Sequence, residues 1–131
     1  MNEELKIINQ RITKDPEILR RTLDFSIRIV RFYRDLEKDS VGRVIGKQLL
    51  RSGTSIGANI NEAQGGQSKA DFLSKISIAY KECLETSYWL KLIHESDLVS
   101  NGEIESLLNE SSQLTKIISS IILTSKQNIN S

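Results

Sequence analysis

Gln48-Leu49-Leu50-Arg51-Ser52-Gly53-Thr54-Ser55-Ile56-Gly57-Ala58-Asn59-Ile60-Asn61-Glu62-Ala63-Gln64-Gly65-Gly66 is dotted with glycine, yet it keeps helical spacing until the Gly65-Gly66 pair stops it. At about 100° per residue, Gly46, Gly53 and Gly57 fall on one narrow strip. Ile45, Ile56 and Ile60 occupy an adjoining face, and Gln48, Arg51, Asn59 and Glu62 supply polar groups. Each glycine inside a helix costs ~1 kcal/mol relative to alanine, so three on one strip require a compensating gain. Close approach of another backbone is such a gain, and the stretch therefore predicts a close-packing helix rather than a loop. Gly53-x-x-x-Gly57 has the spacing of a membrane-helix dimer motif, but Arg51, Ser52, Ser55 and Asn59 surround it, which places the packing in water.

Working outward, Asp15-Pro16 is a start signal, because a carboxylate can cap free amides and proline tolerates the first helical position. The first helix is expected from about Pro16 to Lys38, with Phe25, Ile29, Phe32 and Leu36 on one apolar stripe and Leu19, Leu23, Ile27 and Val30 on a second. Arg20, Asp24, Arg28, Arg31 and Asp35 fill the remaining arc. Two stripes exceed what a monomeric bundle needs. Asp39-Ser40 forms a short connection with Ser40 as the cap, and the second helix is expected from Val41 to about Gln64. Ser68 and Asp71 form a capping box for the third helix, whose core positions Phe72, Ile76, Ala79, Cys83, Thr86, Leu90 and Ile93 alternate steps of four and three. Ser100 with Glu103 repeats the signal after an Asp97–Asn101 turn, and Ile104, Leu107, Leu108, Leu114, Ile118, Ile121 and Ile122 carry the fourth helix. Short connections favour antiparallel neighbours, giving an all-α, up-down-up-down four-helix bundle. The 131 residues form one domain, with an ordered core over about 16–126, residues 1–12 either prolonging the first helix or loose, and 127–131 frayed.

Composition agrees: a single proline and 27% charged residues suit a helical protein in water better than a β-sandwich. Acids at Glu3 and Glu4 replace the basic start of a signal peptide, and the apolar run around Ile117–Leu123 falls short of the ~20 residues a membrane span requires. Lone Cys83 excludes an internal disulfide framework and, with the single His94, cannot make a four-ligand zinc site. A cytoplasmic location is expected, without metal or cofactor. Net charge is only +1, but residues 20–51 hold nine basic residues against four acidic ones. That asymmetry permits an anionic partner at one face, but an ordinary solvated helix with internal ion pairs is the commoner explanation of such a pattern.

Arg51-Ser52, Ser55-Ile56-Gly57-Ala58-Asn59-Ile60, Glu62, Ala70-Asp71-Phe72, Ile78-Ala79, Glu82, Glu85 and Tyr88-Trp89-Leu90, with looser matches at Phe25-Ser26 and Arg31-Phe32-Tyr33, carry a resemblance. Over roughly Phe25 to Ile122 the chain is similar to the bacterial four-helix-bundle family named after proteins encoded in 23S ribosomal RNA intervening sequences. The resemblance implies an antiparallel bundle, a ring-shaped homopentamer and no catalytic residues. Relatives include accessory proteins of diversity-generating retroelements, basic rings that associate with a reverse transcriptase and nucleic acid.

Individual side chains add little chemistry. Cys83 lies on the apolar stripe of the third helix without a sequence-defined base, and His94 lies near the end of the same helix, suited to capping or packing. Glu82 and Glu85 lack the Glu-x-x-His partners of a di-metal bundle, so pairing with lysine or arginine is the simpler reading. Gly65-Gly66 has no preceding strand or following Gly-Lys-Ser/Thr element and reads as a turn, not a phosphate cradle. Arg51, Asn59, Glu62, Glu82 and Glu85 interrupt packable faces and form a candidate polar network between helices or subunits. Two functions follow. One is a non-enzymatic oligomeric interaction protein, binding RNA, single-stranded DNA or a nucleic-acid-processing protein through Arg20, Arg21, Arg28 and Arg31, or serving as a protein scaffold without nucleic acid. The other is an enzyme with an inter-helix pocket around Arg51, Glu82, Glu85 and His94.

Overall fold

The computed structural model describes Glu3, residues 16–100 and residues 102–130. Four long helices run in order along the chain: α1 (Pro16–Leu36), α2 (Ser40–Gln64), α3 (Lys69–Glu95) and α4 (Glu103–Asn130). No strand occurs among the described residues. Contacts are richest between α2 and α3, then between α1 and α2 and between α3 and α4, and much sparser where α4 closes back on α1. The chain therefore folds as the expected four-helix bundle.

The core repeats steps of three and four on every helix. Buried positions are Ile18, Thr22, Phe25, Ile29, Phe32 and Leu36 on α1, and Gly42, Gly46, Leu49, Gly53, Ile56, Ile60 and Ala63 on α2, where Ser52 and Gly57 are buried beside them. On α3 they are Lys69, Phe72, Ile76, Ala79, Cys83, Thr86, Leu90 and Ile93. On α4 they begin Ile104, Leu107, Ser111, Leu114 and Ile118. Such a seam lets neighbouring helices interdigitate over their whole length at a shallow crossing angle. The second stripe of α1 remains on the surface, with Leu23, Ile27 and Val30 exposed and Leu19 partly covered.

Where α2 offers glycine, α1 fills the space. A Cβ at Gly53 would lie 3.0 Å from Cγ1 of Ile29, one at Gly57 3.3 Å from the backbone oxygen of Thr22, and one at Gly46 2.8 Å from the ring of Tyr33. The close approach expected from the glycine strip is thus literal backbone contact at Gly57 and side-chain filling at Gly46 and Gly53. Gly42, which sequence reasoning passed over, is tighter still, since a Cβ there would overlap the carbonyl oxygen of Leu36.

The helix ends correct several expectations. α1 stops at Leu36, two residues before Lys38, because the amides of Lys38 and Asp39 turn back onto the carbonyls of Asp35 and Leu36. Asp39, not Ser40, caps α2: it has extended backbone and its carboxylate accepts from the Gly42 amide at 2.8 Å, while Ser40 is already helical. Ser68 caps α3 as expected, accepting from the Asp71 amide at 3.1 Å. α3 ends with paired bonds from the amides of Asp97 and Leu98 to the carbonyls of His94 and Ile93, which put Asp97 in the left-handed region at φ 56°. α4 begins at Glu103, so Ser100 stands outside its first turn. It extends to Asn130, past the expected limit of the core. The Asp15 cap, Asn101 and Ser131 lie outside the described residues, as do all of residues 1–12 except Glu3.

Candidate functional site

Arg51 on α2 faces Glu82 and Glu85, which stand one turn apart on α3. Its guanidinium reaches Glu82 at 3.2 Å and Glu85 at 2.5 Å. The indole N–H of Trp89 donates to Glu85 at 3.3 Å, and the Tyr88 ring meets the Trp89 ring edge-on, with centroids 5.1 Å apart. The Arg51 hydrogen bond holds the Glu85 carboxyl below the usual carboxylate range, against the opposing effect of desolvation and with help from Trp89. The same bond to Glu85 pushes Arg51 up, so the pair stays ionised and can orient or recognise rather than exchange protons. Tyr88 and Leu84 beside it are exposed.

Of the five residues grouped as a polar network, three come together. Glu62 pairs instead with Lys75 of α3 at 2.7 Å, and the Asn59 amide donates to the Ser55 carbonyl on its own helix at 2.8 Å. Beneath the clamp, the Thr86 hydroxyl donates to that of Ser52 at 2.9 Å in the buried α2–α3 seam.

The four candidate arginines of α1, Arg20, Arg21, Arg28 and Arg31, separate in the same way. Arg21 grips Glu110 of α4 through two nitrogens, at 2.5 and 3.1 Å, and also reaches Gln113 at 2.8 Å. Arg28 binds Glu103 at 2.8 Å and the Ser106 hydroxyl at 2.7 Å. Arg20 pairs with Asp24 on its own helix, both well exposed. Arg31 is exposed and beside Arg28, Phe32, Asp35 and Glu103 lines an open cleft of about 240 Å³. The basic arc is therefore partly an α1–α4 latch.

Cys83 is fully buried, and burial pushes its thiol up to about 12, which suits packing and not nucleophilic attack. His94 lines a separate cleft with Asp97, Val99 and Glu105, and the Arg51 clamp contributes nothing to that lining. Among the described residues no group of three or more His, Cys, Asp or Glu side chains is placed to hold a metal ion. No helix among them is long and apolar enough to cross a membrane.

Sequence reasoning missed a groove between α3 and α4, lined by Ser77, Tyr80, Lys81, Ser119, Ile122, Leu123 and Lys126. Its only sequence signal was the absence of any acid from Ser111 to Ser131.

The comparisons with known proteins fit this architecture. A family model described as 23S rRNA-intervening sequence protein matches residues 14–120. A crystal structure of a protein of unknown function from the S23 ribosomal protein family, from Bacteroides thetaiotaomicron, superposes with a TM-score of 0.76 and 45% sequence identity. The match covers 80% of this chain and 97% of that one. No curated protein matches.

Proposed function

The chain belongs to the 23S rRNA-intervening sequence protein family, and from that premise we propose that it is a non-enzymatic, oligomeric interaction protein of the reducing cytoplasm. One observation carries the oligomer: Leu23, Ile27 and Val30 form an exposed apolar stripe along α1, on the side away from the core that Phe25, Ile29 and Phe32 complete. A second copy covering that stripe removes it from water. The ring-shaped homopentamer implied by the family resemblance is the assembly we propose. The non-enzymatic part rests on a cysteine whose thiol is pushed to about 12 and on a histidine remote from the Arg51 clamp.

Light scattering should give a mass of about five chains. Leu23→Glu with Ile27→Glu should dissociate the assembly and leave the helical circular dichroism intact. A wild-type chain that is monodisperse as a monomer at micromolar concentration would sink the reading.

The geometry favours a protein as the partner, because Arg21 and Arg28 are engaged with carboxylates of α4. RNA or single-stranded DNA is the second reading, favoured by Arg31, exposed on the rim of the α1–α4 cleft, and by Arg20, whose surface pair with Asp24 is weak competition for a phosphate. Retention of nucleic acid at low salt, falling with a logarithmic slope of ~0.7 per neutralised phosphate and flattened by Arg31→Glu, would establish that reading. No retention at low salt would leave the protein partner.

A further inference from the structure

The α3–α4 groove is formed by Ser77, Tyr80 and Lys81 on one wall and Ser119, Ile122, Leu123 and Lys126 on the other. Those positions are spaced i, i+3, i+4 on α3 and i, i+3, i+4, i+7 on α4, which is the ridge pattern that receives another helix. Its volume, about 320 Å³, is at the small end of ligand-sized clefts (~300–1,000 Å³) and has room for a few side chains of a docked helix. The floor is apolar, and Leu123 is 60% exposed there. Both rims are cationic: Lys81 and Lys126 are exposed, and among the described residues neither forms an ion pair. Residues 111–131 of the sequence contain no acid to neutralise them, and the two α3 carboxylates that follow Lys81, Glu82 and Glu85, are both held by Arg51.

We propose that this groove is a docking site for an acidic amphipathic helix of a protein partner, whose apolar stripe lies on Ile122 and Leu123 between carboxylates that pair with Lys81 and Lys126. The site rests on the interaction-protein reading above but uses different helices from the oligomer stripe. A second copy of the chain is a poor occupant, because its exposed stripe at Leu23, Ile27 and Val30 is flanked by Arg20, Arg31 and Arg34, which the two lysines would repel.

The test is fluorescence anisotropy on the full chain with two labelled model peptides, each helical with leucines at i, i+3, i+4 and i+7. One flanks its leucines with glutamate and the other with lysine. The glutamate peptide should bind at least about tenfold more tightly, and Lys81→Glu with Lys126→Glu should reverse the preference. Leu123→Ser should weaken the glutamate peptide and leave the oligomer unchanged in size. Failure of the glutamate peptide to bind, or equal binding of the two peptides that survives the charge reversal, overturns the proposal. So does a change of oligomer size in the charge-reversed variant, which would assign the groove to a second copy. Lysine-dependent binding of labelled oligo-uridine with no response to the peptides would assign the lysines to phosphate. If wild type is a monomer and the glutamate preference persists, the oligomer reading fails while the groove stands.

Discussion

Along α1, the side that meets α2 and the side that meets α4 are built from opposite materials. Toward α2 the contact is steric: Tyr33 over Gly46, Ile29 over Gly53 and the backbone of Thr22 against Gly57. Toward α4 the contacts are sparse, and the bonds are ionic, from Arg21 to Glu110 and from Arg28 to Glu103. A steric seam tolerates no added volume and is indifferent to salt, whereas an ionic latch tolerates shape changes and weakens when ions screen it. One helix thus belongs firmly to α2 and more loosely to α4.

The largest effect should come from forcing the steric seam apart. Gly53→Leu and Gly57→Leu should each lower stability by ~1–3 kcal/mol or more in urea melts, because a Cβ alone already sits 3.0 Å from Ile29 or 3.3 Å from the Thr22 backbone and leucine adds three more carbons. Gly65→Ala, with only the Glu62 carbonyl at 3.8 Å from the added carbon, should stay within ~0.5 kcal/mol of wild type. Leucine variants that melt like wild type would show that the seam yields, and the contrast with α4 would lose its basis. A finer cut is Gly42→Ala, where helix propensity favours alanine by ~1 kcal/mol but the new carbon overlaps the Leu36 carbonyl. Net destabilisation is expected, and a gain would mean the α1–α2 turn relaxes easily.

Breaking the ionic latch should do less. Arg21→Ala should cost about 1 kcal/mol, near the upper end for partly exposed pairs, since the guanidinium binds Glu110 through two nitrogens. Its signature is where the loss appears: amide exchange should quicken in α4 before α2, and added salt should destabilise wild type more than the variant. Uniform acceleration across all four helices would mean that α4 is held by its apolar contacts instead.

The two seams were also unequally legible. Every expected core position of α3, from Phe72 to Ile93, is buried, because apolar periodicity states directly which face leaves water. The glycine strip was readable for the same reason: a costly residue repeated on one line marks an approach. Charge carries no such direction. Arg21 and Glu110 stand 89 positions apart, and an arginine on an outward arc has the same pattern whether it meets nucleic acid or a neighbouring helix. Burial of Ser52 and Ser111 was hidden by their polarity, which is satisfied by the Leu49 carbonyl and the Ser87 hydroxyl. At the α2 cap, Asp39 and Ser40 are both competent, and only the tight turn after Leu36 decides between them.

The Arg51 clamp is the intermediate case, ionic like the α1–α4 latch but lying over the best-packed seam, so it should matter least. A double-mutant cycle of Arg51→Ala and Glu85→Ala should give a coupling of ~0.2–1 kcal/mol, with Arg51 half exposed and the helices beneath already joined. Its pH dependence has a definite sign. The Glu85 carboxyl is held low by the Arg51 hydrogen bond, so its contribution is fully present above the unfolded value of about 4.3 and is lost as pH falls through the folded value. Arg51 remains charged throughout that range and adds no slope of its own. Melts of wild type and Glu85→Gln should therefore differ near neutrality and converge in acid. If they run parallel down to acid, Glu85 is not depressed by its partner. If Arg51→Ala costs as much as Arg21→Ala, the packing beneath an ion pair does not set its worth, and the distinction between the two sides of α1 reduces to geometry alone.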